Sequence, residues 1–176
     1  MACTQTLAGI AKDCAPSMGG IVEVYIANAE DVSSVTATQG KVTGIAMASS
    51  AKFKKYSFAR NTGSMTSTYT IDHATGANFV STDLVLQFNR METAKRVEIS
   101  ALAVGELAVL VKDANGVYWY LGKDEPVLST AGDGQTGTAR ADGNRYTITL
   151  QDNSPEMPFE VLVGDGGVDL STIVSA

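Results

Sequence analysis

The sequence predicts a mainly β protein, a β-sandwich or small barrel with one flanking α-helix and a long β-hairpin arm. Three observations predict it. Runs of β-branched and aromatic residues of strand length recur along the chain, as in IVEVYI at 21–26, LAVLV at 107–111 and RYTITLQ at 145–151. Asn115-Gly116 stands between two such runs, a strong short-range hairpin signal. Only one stretch, near 89–105, carries helical spacing together with end signals.

The first strand is expected over 20–27, freed at its start by Gly19-Gly20, with 28–32 as a turn or short helical start. A weaker strand is expected at 41–45. Residues 53–60 alternate, with Phe53, Lys55 and Ser57 on one side and Lys54, Tyr56 and Phe58 on the other.

The long hairpin is expected over 63–88. Its first limb, 64–71, is dominated by Thr and Ser, and Asp72, His73, Thr75 and Gly76 carry turn chemistry. The returning limb, 78–88, places Leu84, Leu86 and Phe88 on one face. At about 3.3 Å per residue the limbs reach roughly 25–35 Å. The distal half reads as polar on both faces, a pattern that specifies a monomer core poorly and suits pairing with a neighbouring chain. The candidate self-contact residues are therefore Ser64, Thr66, Thr68, Thr70, Asp72, His73, Thr75, Phe79, Ser81 and Asp83.

The helix is expected to start at an Asn89 cap, with Glu92 at capping-box spacing. Met91, Ala94, Val97, Ala101 and Leu102 recur near helical spacing, Glu92 faces Lys95 and Arg96, and Gly105 is placed to stop it. A strand reading of the alternating Val97, Ile99, Ala101 and Ala103 competes with it. Strands at 106–113 and 117–122 flank the Asn-Gly turn, 132–138 reads as a flexible glycine-rich loop, and strands at 145–151 and 159–163 follow. The total is roughly eight strands and one helix in a single domain, with an N-terminal arm over about 1–18 and a C-terminal tail over about 164–176.

Composition narrows the function. A chain of 176 residues buries enough surface to need no disulfide or metal. The net charge of −6 argues against wrapping nucleic acid, which requires a basic face. Charged residues make up only 18%, and Ser, Thr, Gly and Ala take their place. Such a surface costs little to desolvate and suits contact between copies. Residues 1–13 lack the basic start and apolar run of a secretion signal, so Cys3 and Cys14 are expected as free thiols in a reducing compartment. No apolar run approaches the ~20 residues of a membrane span.

The chemistry-bearing residues do not assemble a catalytic or cofactor site in the sequence. His73 is the sole histidine and sits in a turn, which leaves no partner for a histidine triad or a zinc cluster. Asp133, Asp142, Asp165 and Asp169 lie beside glycines without the ligand spacing of a calcium loop. Glu156 and Glu160 lack a flanking aromatic groove. Tyr118, Trp119 and Tyr120 read as core and outer-face partners of a hairpin strand, or as a platform for carbohydrate if Trp119 is exposed.

The order of these elements resembles a known family. The stretch GGIVEVYIAN at 19–28, the hairpin ending TDLVLQF at 82–88, the segment 106–121 after a helix, and the late pair over 137–150 are similar to tail tube proteins of tailed bacteriophages. The resemblance covers most of the chain and rests on no catalytic motif. It implies a β-sandwich with a flanking helix that forms hexameric rings, stacked into a tube related to that of type VI secretion systems. It also implies an inner wall of sheets closed across subunits, and a long hairpin bridging rings. The implied partners are copies of the chain, other virion tail proteins, and DNA passing through the lumen without specific binding. No cofactor is implied. The implied location is the virion tail, after assembly in the host cytoplasm. A head decoration or stopper protein, or a carbohydrate-binding module, is the competing expectation.

Overall fold

The computed structural model describes residues 7–175. The protein is mainly β, with eleven strands in two sheets and two α-helices among the described residues. In chain order these are β1 (Ile21–Asn28), β2 (Val32–Thr38), β3 (Lys41–Met47), β4 (Lys54–Tyr56), β5 (Gly63–Asp72) and β6 (Ala77–Asn89). Then come α1 (Thr93–Val104), β7 (Leu107–Asp113), β8 (Tyr118–Leu121), β9 (Leu128–Gln135), β10 (Arg145–Ser154), β11 (Phe159–Val161) and α2 (Leu170–Ile173). A seven-stranded sheet runs β2-β3-β11-β8-β7-β1-β4, and a four-stranded sheet runs β5-β6-β10-β9.

The two sheets share a core. Val24, Ile26, Val109 and Val111 from the larger sheet meet Leu84, Leu86, Phe88, Ile148 and Leu150 from the smaller, and Leu102 of α1 joins them. The alternation legible in β6 and β10 is the pleat itself, one residue in two pointing at this core. β7 is different, because Leu107 to Val111 are buried without alternation. Its other face meets a second core of Tyr25, Ala27, Leu110, Tyr120, Phe53, Val161, Val168 and Ile173. A strand covered on both sides reads as a continuous apolar run.

The Asn115-Gly116 hairpin forms as expected. Gly116 takes φ +87°, the left-handed region. Asp113 Oδ1 accepts from the Asn115 and Val117 N–H groups at 2.8 and 2.9 Å, which fixes the turn.

Several expectations are corrected. β6 continues through Asn89, which pairs with Arg145, so Asn89 caps no helix. Its carbonyl instead accepts from Lys95 Nζ at 2.8 Å. α1 begins after Glu92, whose side chain makes no capping bond and pairs with Lys95 at 2.9 Å. The 53–60 strand shrinks to β4, and β2 is an additional strand paired with β3.

The supposed loop at 132–138 is largely ladder. Gly132, Asp133, Gly134 and Gln135 pair with Ile148, Thr147, Tyr146 and Arg145. Glycine at 134 makes room for a neighbour, since a Cβ there would stand 2.9 Å from the Tyr146 ring.

The C-terminal segment is part of the fold rather than a loose tail. Asp169 caps α2 by accepting from Ser171 N, and Ile173 is buried at 5% exposure. Phe53 N–H donates to the Ile173 carbonyl and Ser175 N–H to the Phe53 carbonyl, both at 2.8 Å. Truncating Ile173→Ala should therefore lower the unfolding free energy by about 2–4 kcal/mol in urea titration, where a free tail would show no change.

Candidate assembly surface

The ten candidate residues fall on two parts of one hairpin. In the β5–β6 register, Thr66 faces Asp83, Thr68 faces Ser81 and Thr70 faces Phe79, while Ser64 faces Val85. All of these point away from the core on the same side of the sheet, because their neighbours Leu84, Leu86 and Val80 point inward. Asp72, His73 and Thr75 lie in the exposed turn.

The turn residues serve the turn itself. Asp72 Oδ1 accepts from Ala74 N at 2.8 Å and Asp72 Oδ2 accepts from Thr75 Oγ1 at 2.8 Å. The Thr75 hydroxyl, with the backbone donors of Ala74 and Thr75, holds the Asp72 carboxyl below the usual carboxylate range. Asp83 is likewise engaged, accepting from Gln151 Nε2 at 2.8 Å across to β10.

The hairpin is less of a free arm than expected. β10 runs beside β6 from Asn89 back to Val80, so this half is the middle of a sheet. Only residues 70–79 project beyond the last β10 partner, Ser154. The projecting portion is not polar on both faces. Tyr69 and Ile71 continue the core-side row of Met65 and Ser67, yet they are 48% and 57% exposed. Phe79, at 40%, is exposed on the opposite face.

Below the projection, the core-side row turns polar. Ser67 and Thr82 hydroxyls bond at 2.8 Å, with Thr82 1% exposed. Asp152 sits beside Thr82 in the register.

The residues missed in the sequence complete the solvent face of the smaller sheet. β10 adds Thr147, Thr149, Gln151 and Asn153, and β9 adds Ala131, Asp133 and Gln135. The β10 set was legible as the polar half of its alternation; the β9 set was hidden by the glycines that made it read as a loop. Apart from the turn, the charges on this face are Asp83, Asp133 and Arg145. β5 and β9 end the sheet, each with one edge lacking a strand partner. Neither carries lysine or proline, but α1 packs beside β9 and a register shift interrupts its pairing with β10, so β5 is the plainer edge.

Trp119 does not form a platform. It packs against the shared core, and its Nε1 donates to Asp113 Oδ2 at 3.1 Å. Among the described residues no group of three or more His, Cys, Asp or Glu side chains is placed to hold a metal ion, and no helix is long and apolar enough to cross a membrane. Cys14 is an exposed free thiol on the arm, and Cys3 lies outside the described residues.

No family model, curated protein or solved structure matches the chain.

The projection should be dispensable to the monomer while its root is not. The double substitution Tyr69→Ser, Ile71→Ser should change monomer unfolding free energy by no more than about 1 kcal/mol. Leu84→Ala, at the fully buried root, should cost about 2–5 kcal/mol in the same denaturant titration.

Proposed function

We propose that this protein is a non-enzymatic virion structural protein, a tail tube subunit of a tailed bacteriophage. Copies pair into rings, hexamers by the family resemblance, and the rings stack around a channel for DNA. The observation that carries the reading is the smaller sheet. It ends on two strands without lysine or proline, of which β5 has the plainer edge, and it presents a broad face of mainly hydroxyl and amide groups with few charges.

An edge strand without a partner gains backbone hydrogen bonds when it meets the edge of another copy. Repeating that contact with closed symmetry satisfies every edge at once. The resulting inner wall would carry Thr, Ser, Asn and Gln, with Arg145 the one base among the acids Asp83 and Asp133. Phosphates passing such a wall meet no basic cluster on which to stall. The projecting 70–79 segment, with Tyr69, Ile71 and Phe79 exposed around it, supplies apolar area for contact between stacked rings.

The assembly is tested directly. Negative-stain images of the concentrated protein should show rings or tubes, and sedimentation should show species far larger than the monomer. A monomer alone, over several salt concentrations, overturns the reading. Replacing 72–77 by a tight two-residue turn should leave the far-UV circular dichroism of the dilute protein unchanged and abolish long assemblies. Normal tubes from that variant would mean that ring stacking uses another surface. The double substitution of Cys3 and Cys14 to Ser should assemble as the parent does, read in the same images.

A further inference from the structure

Asp152 is a buried acid with nothing to balance it. It lies on the core-side face of β10, 3% exposed, and its Oδ1 has no hydrogen-bond partner. It belongs to none of the ion pairs among the described residues. The segment 122–127, which joins β8 to β9, packs over it. The Gly122 N–H donates to its carboxyl, while Asp124 and Glu125 of the same segment add negative charge nearby.

Each neighbouring element has been given a group that fails to neutralise it. Lys123 is taken by Asp124 at 2.9 Å and stands over the Phe159 ring at 4.7 Å. Tyr120 of β8 is the remaining titratable neighbour, and it is itself buried. β6 presents Thr82, bonded to Ser67. Ser154 of β10 donates to Asp124 Oδ2 at 3.3 Å rather than to Asp152.

We propose that Asp152 and the acidic segment above it form a proton-operated latch, in which the neutral carboxyl keeps 122–127 seated and the ionised carboxyl releases it. A charged carboxylate in this place lacks water, lacks a cation, and faces two further acids across a short loop. Opening the loop relieves all three. Burial above all, then the charges of Asp124 and Glu125, hold the Asp152 carboxyl up at about 6. Because the seated form binds its proton more tightly than the open form, the extra stability is fully present at low pH and is lost as pH rises through about 6.

The segment leads straight into β9, through the Leu107–Val127 bridge. The segment governed by this proton therefore adjoins the start of β9, which the bridge and the β10 ladder hold in place. A consequence for contact between copies rests on the assembly reading above; the latch does not, and it is testable in the dilute monomer.

Amide hydrogen exchange, corrected for the intrinsic rate, measures opening of 122–127 in the monomer. From the linkage relation, opening should be about tenfold greater at pH 7.5 than at pH 5 in the parent protein. In Asp152→Asn the same segment should show no pH dependence over this range. A flat profile in the parent, or an unchanged profile in Asp152→Asn, overturns the latch. As Asp152 is buried, a second variant guards against misfolding. Asp124→Asn with Glu125→Gln alters exposed positions only, and should move the midpoint of the transition to lower pH. An unmoved midpoint would remove the acidic segment from the mechanism. Because all arms use the monomer, their failure is separable from a failure to form tubes.

Discussion

The burial of β1 and β7 on both faces is the constraint on which the rest of the structure depends. Leu107 to Val111 and Val24 to Ala27 have no solvent face, so each must find two covers. The smaller sheet and α1 supply one, through Leu84, Leu86, Ile148, Leu150 and Leu102. The β2–β3 hairpin, β11, Phe53 and the C-terminal turn supply the other. Fully burying an aliphatic or aromatic side chain is worth about 1.5–3 kcal/mol, so these two strands alone account for much of the force that collapses the chain. It follows that residues 164–175 cannot be an appendage, since Val168 and Ile173 are buried in the second core.

The same constraint shapes the candidate surface. With β1 and β7 covered on both faces, the solvent face of the smaller sheet is a broad pleated face left open. It is populated by residues whose hydroxyl and amide groups hydrogen-bond readily to water, to a neighbour or to each other, as Gln151 and Asp83 do. Few of them are charged, so little electrostatic cost opposes bringing copies together.

Polar groups sit inside the fold at one place, where the hairpin leaves the sandwich. Ser67, Thr82, Asp152 and Ser154 replace the leucines found one step further in. Two of them satisfy each other, and Asp152 is left wanting. A root of this kind is weaker than an apolar one, because buried polar groups gain only what their partners return. The position joins three things at once: the base of the projecting segment, the 122–127 loop and the start of β9.

Local chemistry alone determined a good deal. The mainly β class, β1, the β5–β6 hairpin and its turn, the β7–β8 hairpin at Asn115-Gly116, the helix and the alternation of β10 all follow from propensity and period, which act over a few residues. What escaped was decided by partners distant in sequence. Asn89 has the side chain of a cap, but the β10 ladder holds it as strand. Gly132 and Gly134 read as loop until the β10 ladder is seen beside them, with the Tyr146 ring occupying the space a side chain at 134 would take. Tyr69 and Ile71 look like ordinary strand residues until the fold leaves their side of the hairpin half exposed. The solvent face of the smaller sheet is the clearest case. The polar halves of β5, β6 and β10 were legible separately and that of β9 was not, and only the register of four strands makes one surface of them, because pairing between strands far apart in the chain is a tertiary fact.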